Sequence, residues 1–327
     1  MPSKPSNFHT ESSSDQRNSQ LEFPLHFIPV TLQGIPEIPQ AQQAAYRRSG
    51  YQGTPVVLLH GFLGDSANWQ GVMAEISQMV ALDHCLDHCL DNSLDNGSTI
   101  DLIALDLLGF GASSKPPVAY TVAQEVAFLR AVLQQLGLES CVLVGHSFGG
   151  WVSAAYTIAY PDHVSALCLV APAGIRDDSF CGRYNWMRPV LWQTPIVDAL
   201  LWCLKPVAML FRQTKTLELV CWARRELNRQ PAARSFLVDR LRPEDAIDTV
   251  ENHISVIVAP TLILAAQDDD TIPAWHCETY AQQISGAELM VIPEAGHGLP
   301  QNNPTAIAHS LIKLIHRLRS GFSSEPA

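Results

Sequence analysis

Short apolar runs alternate with longer amphipathic stretches along most of the chain. The run Pro-Val-Val-Leu-Leu-His at 55–60 is bounded by turn residues, which is typical of a strand buried on both faces of a parallel sheet. The repetition of this pattern predicts a mostly parallel sheet as the core of the molecule. Comparable runs follow at residues 100–106, 141–145, 164–170, 261–266 and 289–292.

Helical periodicity fills the intervals between these runs. Residues 121–136 begin with a Thr-x-x-Gln capping box at Thr121, carry apolar side chains on one face and end before Gly137. The last helix is predicted to begin at Asn303, where a proline follows at the first helical position. Strands that alternate with helices of this length predict an α/β domain with helices on both faces of the sheet.

The amino-terminal region departs from this pattern. Residues 1–20 are polar and serine-rich and lack the apolar run of a signal peptide, so we predict a disordered tail and a cytoplasmic protein. From residue 21 to residue 50, two weakly alternating stretches predict a hairpin, and their prolines confine it to the edge of the sheet.

A tandem near-repeat interrupts the pattern at residues 82–97, where Leu-Asp-His-Cys occurs twice and related tetrapeptides follow. His84, Cys85, His88 and Cys89 raise the alternative of a metal site. The duplication by itself accounts for their spacing, and we therefore interpret the segment as a loop insertion that holds no metal.

A second interruption covers residues 175–256. From residue 183 to residue 256 the sequence shows helical periodicity without a strand-like run. We predict a helical lid with an aromatic underside, inserted into a core of residues 21–174 and 257–322. Trp186 and Trp192 are the candidates for contact with a substrate. The lid holds four of the chain's seven tryptophans: Trp186, Trp192, Trp202 and Trp222.

Part of this lid, residues 189–211, is apolar enough to raise the question of a membrane span. Pro195, Asp198 and Lys205 interrupt it, so that no clean span of about twenty residues remains. We therefore predict no stable span. Attachment to a membrane surface through residues 186–211 stays an open alternative.

Composition narrows the functional classes. Of the 327 residues, 47% are hydrophobic and 16% charged, which fits a globular domain with a large core. The net charge of −11 argues against nucleic acid as a partner, because phosphate binding needs clustered Lys and Arg, and favours a small-molecule substrate. The eight cysteines are scattered, which indicates reduced thiols rather than a disulfide framework. The oligomeric state is left open.

The motif Gly-His-Ser-Phe-Gly-Gly at 145–150 lies between a predicted strand and a helix predicted over 151–160. A nucleophile elbow requires this context, in which a sharp strand-to-helix turn exposes the serine hydroxyl at the carboxyl end of the sheet. Ser147 is therefore the predicted nucleophile. At so tight a turn the neighbouring His146 points elsewhere, and we assign it to packing.

A serine hydroxyl is a poor nucleophile unless a base removes its proton. The segment Pro-Glu-Ala-Gly-His-Gly at 293–298 follows the last predicted strand and precedes the last helix. This position places His297 at the same edge of the sheet as Ser147. We predict that His297 is the base.

The base in turn needs a carboxylate that fixes its tautomer. Asp268, Asp269 and Asp270 follow the apolar strand before them, and an acid there completes the chain order Ser, Asp, His. The position in the chain does not choose among the three. Asp106 is a rival after an earlier strand, although its Asp-x-x-Gly-x-Gly context indicates a tight turn.

A tetrahedral intermediate needs backbone donors for its oxyanion. The amide of Phe148, directly after the nucleophile, supplies one. The loop His-Gly-Phe-Leu-Gly at 60–64, after the first buried strand, is suited to supply the other through the amide of Phe62.

Together these motifs resemble those of the α/β-hydrolase superfamily, in particular its lidded group with a Gly-His-Ser-Phe-Gly-Gly elbow. The resemblance extends from about Gly53 to Arg319, apart from the repeat and most of the lid. In that family the acid usually stands four residues before a proline, in a Gly-x-x-Asp-x-x-x-Pro pattern, so Pro273 selects Asp269. Ala266 replaces the usual glycine of this pattern, and Asn302 occupies a usually acidic position.

The resemblance implies the α/β-hydrolase fold, a mostly parallel sheet covered by helices with an inserted helical lid. We predict a serine hydrolase that cleaves an ester or related acyl bond of a small, largely apolar substrate. The acyl-enzyme route needs only protein groups, so no metal or organic cofactor is expected.

Two alternatives stay open. One keeps the triad but performs carbon–carbon bond hydrolysis, or a proton abstraction similar to that of the menaquinone-pathway synthase. That synthase often carries an arginine where this chain has Trp151, although a docking arginine under the lid (Arg176, Arg183 or Arg188) would favour it again. The other is a binding protein that retained the fold without catalysis.

Overall fold

The computed structural model describes residues 22–89, 99–180, 189–236 and 248–320. Within these residues eight strands form one sheet, in the order β1-β2-β4-β3-β5-β6-β7-β8. The strands are β1 (Leu25–Thr31), β2 (Ala41–Ser49), β3 (Thr54–Leu59), β4 (Ile100–Leu105), β5 (Cys141–His146), β6 (Val164–Val170), β7 (Thr261–Ala266) and β8 (Glu288–Ile292).

The strands from β3 to β8 run parallel to one another, as the apolar runs predict. β1 and β2 form an antiparallel hairpin at one edge, and β2 also pairs antiparallel with β4. Pro29 is accommodated in β1 because an edge strand has a neighbour on one side only. The predicted edge hairpin is confirmed.

Helices cover both faces of the sheet and follow the strands in the predicted alternation. The α-helices of the described residues are α1 (Gln70–Cys89), α2 (Val122–Gln135), α3 (Phe148–Ala159), α4 (Pro195–Cys203), α5 (Lys205–Leu210), α6 (Thr214–Arg229), α7 (Pro231–Ser235), α8 (Ala274–Gln283), α9 (Leu299–Asn302) and α10 (Pro304–Arg319).

The start of α2 shows the predicted capping box. The amide of Gln124 donates to the Thr121 side chain, and the amide of Thr121 donates to the Gln124 side chain, each across 3.1 Å. Gly137 follows the helix with φ of +70°, a left-handed conformation that glycine adopts without strain. At α10, Asn303 occupies the cap position but makes no side-chain cap hydrogen bond, so Pro304 is the effective start signal.

Two hydrophobic clusters pack on opposite faces of the sheet. Val57 and Leu59 of β3 belong to the cluster that includes residues of α2 and α3, whereas Val56 and Leu58 belong to the cluster with α1 and α10. Successive side chains of a strand point to opposite faces, so a strand that is apolar at every position must be covered on both.

The loop insertion predicted for residues 82–97 is wrong in its first half, because α1 extends to Cys89. The four-residue spacing of the repeat is close to the 3.6 residues of a helical turn, and the repeat contains no glycine or proline before Gly97. Residues 90–98 lie outside the described part of the chain. The described part also excludes the side chains of His84, Cys85, His88 and Cys89. The alternative of a metal site is therefore not tested by the structure.

Residues 175–256 carry, where they are described, helices α4 to α7 and short 3₁₀ turns but no strand. The amide of Val250 donates to the carbonyl of Gly174 across 2.9 Å, so the chain returns to the point where it left the core. Across the described residues no helix is long and apolar enough to cross a membrane.

Candidate active site

Ser147 lies between the end of β5 and the start of α3, at a turn with unusual backbone geometry. Its φ is +52° and its ψ −113°, in a region that L-residues rarely adopt. The amide of Ser147 donates to the carbonyl of Val170 across 2.9 Å, which ties the turn to the neighbouring strand β6. The strained turn is the backbone conformation that a nucleophile elbow requires.

The glycines of the elbow are needed because chain segments approach very closely. A Cβ at Gly145 would lie 2.2 Å from the Gly149 carbonyl oxygen, and one at Gly149 would lie 2.4 Å from the Leu59 carbonyl oxygen. No side chain fits at such distances. The Gly-x-Ser-x-Gly pattern therefore follows from packing of the turn against α3 and β3.

Three predicted residues meet at the carboxyl edge of the sheet. The hydroxyl of Ser147 lies 3.0 Å from Nε2 of His297, and Nδ1 of His297 lies 2.8 Å from Oδ2 of Asp269. A carboxylate can only accept, so Nδ1 carries the proton and Nε2 is left to accept from the serine. This is the geometry by which a histidine can draw a proton from a serine.

Asp269 is held in place by hydrogen bonds from backbone amides. Its Oδ1 accepts from the amides of Thr271 at 2.9 Å and Ile272 at 2.8 Å, so Oδ2 faces His297. Burial opposes ionisation of the carboxyl group, but the hydrogen bond and charge of His297 and the two amides outweigh it, and the pKa of Asp269 lies below its usual value.

The rival acids have other partners. Asp106 is buried and accepts from the amides of Ser66 at 2.6 Å and Ala112 at 2.7 Å, which makes it the organiser of a tight turn. Asp268 and Asp270 are exposed. Of the candidate acids, the structure brings Asp269 to His297.

The two predicted oxyanion donors flank the serine. A Cβ at Gly61 would lie 3.2 Å from the Cβ of Ser147, so the loop carrying Phe62 passes directly beside the elbow. Within the described part of the chain, neither the Phe62 amide nor the Phe148 amide has a protein acceptor. At Phe148 this is expected, because the first amides of a helix have no partner within it.

Phe148 lies in an aromatic cluster whose members could not be named from the sequence. Phe148 contacts Phe110, Phe62, Trp151 and Phe236 at ring-centroid distances of 5.6, 6.2, 6.0 and 4.8 Å. Phe236 follows α7 in the lid segment and the others belong to the core. The residue directly after Ser147 therefore packs in an aromatic cluster to which both the core and the lid segment contribute.

Trp192, one of the two tryptophans predicted to contact a substrate, is not part of this cluster. Trp192 is 64% exposed, and its backbone carbonyl accepts from Arg224 of α6. Trp186 lies outside the described residues. The aromatic side chain that the lid brings to Phe148 is Phe236 instead, which the periodicity of the lid did not single out.

His146 makes a contact that sequence reasoning missed. Its Nε2 lies 2.8 Å from the backbone carbonyl oxygen of His297, and the centroids of the two imidazole rings are 5.0 Å apart. Burial, followed by the charge of His297, lowers the pKa of His146 to about 3, so its ring is neutral. Packing alone does not describe this residue, because it joins the elbow to the loop of His297.

The chain is similar to known proteins of one family. A sequence profile of the α/β hydrolase fold matches residues 54–304, from β3 to the start of α10. The chain is 29% identical over 256 residues to 2-hydroxy-6-oxo-2,4-heptadienoate hydrolase of Pseudomonas putida, covering 75% of this chain and 83% of that protein. It is 28% identical over 291 residues to 2-hydroxymuconate semialdehyde hydrolase of a Pseudomonas species, covering 81% and 89%.

A solved structure shares the same architecture. The esterase from Thermogutta terrifontis aligns with a TM-score of 0.63 over 90% of this chain and 99% of its own, at 23% identity. At this level of identity the likeness concerns the fold, and the chemistry must be argued from the site.

Proposed function

This chain belongs to the α/β-hydrolase fold family, and on that premise we propose that it is a serine hydrolase acting on an ester or related acyl bond. The observation that carries the proposal is the continuous hydrogen-bond path from Asp269 through His297 to Ser147. Ser147 sits at the strained elbow where this family presents its nucleophile.

In the proposed reaction, Oγ of Ser147 attacks the carbonyl carbon of the substrate while Nε2 of His297 takes its proton. Collapse of the tetrahedral intermediate breaks the bond to the leaving group, which receives that proton from His297. Water then attacks the acyl-serine in the same way, and the acid is released. Asp269, with its lowered pKa, stays ionised and stabilises the imidazolium of His297.

The negative charge of the intermediate falls on the former carbonyl oxygen. The amides of Phe62 and Phe148 are the proposed donors to this oxygen, since they lie beside Ser147 and have no acceptor among the described residues. Donors fixed in advance in an apolar site stabilise such charge strongly.

The aromatic cluster supports the proposed substrate class. Rings from Phe62 and Phe236 pack against Phe148, the residue next to the proposed nucleophile, and such an apolar neighbourhood favours an uncharged acyl group over a charged one. The proposed substrate is therefore a small, largely apolar ester.

A chain-length series of p-nitrophenyl esters tests this proposal. We expect wild-type turnover to be lost in Ser147→Ala and retained in Ser165→Ala, because Ser165 is an exposed residue of β6. A fluorophosphonate should label the wild type and Ser165→Ala but not Ser147→Ala. An unlabelled wild type would refute the nucleophile, whereas labelling without ester turnover would move the proposal to another bond.

Carbon–carbon bond hydrolysis is the second candidate. The substrate named for the Pseudomonas putida relative has a ketone and a carboxylate but no ester, and a pocket for such a compound needs a cation. Arg234 lies two residues before Phe236, and its Nε is buried without an acceptor among the described residues. Arg176 instead pairs with Asp178, and Arg183 and Arg188 lie outside the described part of the chain.

The two candidates differ in what Arg234 does. If the substrate carries a carboxylate, Arg234→Gln should raise KM for anionic ketone substrates and leave neutral ester turnover unchanged. Equal effects on both substrate types would remove the reason for preferring an anionic substrate.

A further inference from the structure

Helices α4, α5 and α6 present a large apolar surface to solvent. Eleven of the twenty exposed large hydrophobic side chains of the described residues lie between positions 192 and 222. We call these side chains the lid surface. They are Trp192, Ile196, Leu200, Trp202, Leu204, Val207, Met209, Leu210, Phe211, Leu219 and Trp222.

The two short helices of this surface are apolar almost all round, yet each has a single buried residue. In α4 this residue is Leu201, and in α5 it is Ala208. A helix that is apolar on every side is ordinarily covered on every side. Exposed apolar area of this extent marks an interaction site.

The lid surface is held in a fixed arrangement. Arg224 of α6 is 3% exposed and forms a two-point ion pair with Asp198 of α4, at 2.8 and 2.9 Å. The same guanidinium donates to the carbonyls of Trp192 at 2.8 Å and Thr194 at 3.2 Å. The exposed side chains are thus presented by helices that are braced against one another.

A groove of about 510 Å³ runs between these helices. Its apolar lining includes Trp202 and Met209, which belong to the lid surface. Its charged lining consists of three basic and two acidic residues: Lys205, Arg224, Arg225, Asp198 and Glu218. The groove therefore combines apolar side chains with charged side chains of both signs, with a small excess of basic ones.

The charge of this segment is opposite to that of the chain. Residues 189–236 hold seven basic and three acidic side chains, a net charge of +4, in a protein whose net charge is −11. Tryptophan and phenylalanine beside lysine and arginine are typical of helices that lie at a lipid–water interface.

We propose that the lid surface docks on an anionic lipid bilayer, with its apolar side chains among the acyl chains and the neighbouring Lys205 and Arg225 at the headgroups. Acyl chains match the exposed apolar side chains, and anionic headgroups match the net positive charge of residues 189–236. A second copy of the chain fits less well, because a two-fold contact would set this positive segment against itself.

Flotation of the full chain with vesicles tests the proposal. We expect binding to phosphatidylcholine vesicles that contain phosphatidylglycerol, and weaker binding to phosphatidylcholine alone. Leu210→Glu/Phe211→Glu should lower partitioning about tenfold or more, and both residues are exposed enough to leave folding intact. Lys205→Gln/Arg225→Gln should lower it about tenfold at low salt and less at high salt.

Matched controls lie outside the lid surface. Val258→Glu replaces a side chain that is 82% exposed, and Lys313→Gln removes an exposed lysine of α10. Both should bind vesicles like the wild type. Absence of flotation, or flotation that all these variants share, overturns the proposal. A dimer in sedimentation velocity that Leu210→Glu/Phe211→Glu dissociates, without vesicle binding, assigns the lid surface to a second copy instead.

The proposal does not depend on the chemistry at Ser147. Turnover of a water-soluble ester should be the same in the wild type and in the two double variants, Leu210→Glu/Phe211→Glu and Lys205→Gln/Arg225→Gln. A wild type that binds vesicles but does not turn over the ester would count against the proposed function alone. A double variant that turns over the ester but no longer binds vesicles would support the docking surface independently of the chemistry.

Discussion

His146 donates a hydrogen bond from Nε2 to the backbone carbonyl of His297 across 2.8 Å. A carbonyl can only accept, so this contact fixes the proton of the neutral His146 ring on Nε2. Nδ1 of His146 is buried and has no partner in the described part of the chain. The residue before the proposed nucleophile therefore holds the loop of the proposed base, and with it the distance from Nε2 of His297 to Ser147.

His146 is accordingly a positioning residue, and its removal should lower kcat more than it raises KM. We expect His146→Leu to lower kcat about tenfold to a hundredfold, because small displacements of a reacting group are costly. His146→Gln should recover much of the rate, since its amide nitrogen can donate to the same carbonyl. His309→Gln is the control, because His309 is exposed and its hydrogen bond, to the carbonyl of Thr305, stays within α10. Equal kcat in His146→Leu and the wild type would remove the positioning role.

The same side chain makes a testable contribution to acid stability. Burial and the charge of His297 lower the pKa of His146 to about 3, against about 6.5 in an unfolded chain. Between these values the unfolded chain binds a proton that the folded chain excludes. The folded state therefore loses stability as pH falls from about 6.5 towards 3 and is unaffected above that window.

Urea unfolding at pH 7 and pH 5 measures this contribution. From pH 7 to pH 5 the wild type should lose about 2 kcal/mol more than His146→Gln, which has no ionisable group at that position. His60 also has a pKa lowered by burial, but it is present in both proteins and cancels. Parallel losses in the two proteins would show that the buried ring of His146 is not the titrating group.

The sequence could predict what is local. The buried strands, the elbow at Ser147 and the capping box at Thr121 each depend on a few neighbouring residues, and the structure has them at the predicted places. Asp269 and His297 could be named as candidates because each follows a recognisable strand. Their meeting with Ser147 depends on the parallel order of β5, β7 and β8, which the alternation of elements implies.

What the sequence could not predict depends on contacts between distant segments. His146 and His297 are 151 residues apart, and nothing in either motif indicates that one bonds the backbone of the other. Phe236 reaches Phe148 because the lid folds back on the core, and helical periodicity does not reveal which face of a lid turns inward. Residue type and position in the lid likewise do not reveal that Trp192 is largely exposed.

The choice among the three consecutive aspartates can be tested directly. Asp269→Asn should lower kcat about a thousandfold or more, because an amide in that place no longer fixes the tautomer of His297. Asp268→Asn and Asp270→Asn change exposed carboxylates of the same loop and should keep kcat near that of the wild type. Measurement of kcat per active site, with sites counted by fluorophosphonate, separates loss of catalysis from loss of folded protein. A large loss in Asp268→Asn or Asp270→Asn would reassign the acid.

The elbow leaves no room for a side chain at Gly145. A Cβ there would lie 2.2 Å from the Gly149 carbonyl oxygen and 2.4 Å from Oγ of Ser153, so the turn and α3 must move apart to admit it. We expect Gly145→Ala to destabilise the protein by about 3 kcal/mol and to lower kcat, because the movement displaces Ser147.

Gly137→Ala is the matched control, because the two glycines differ in the reason for their presence. Gly137 has φ of +70° but nothing within 4 Å of an added Cβ, so alanine there pays only for the left-handed backbone, about 1 kcal/mol. Its kcat should not change, since it lies after α2, away from the elbow. Urea unfolding and kcat per labelled site distinguish the two variants. If Gly145→Ala is as stable and as active as Gly137→Ala, the elbow has room for a side chain, and close packing is not the reason for its glycine.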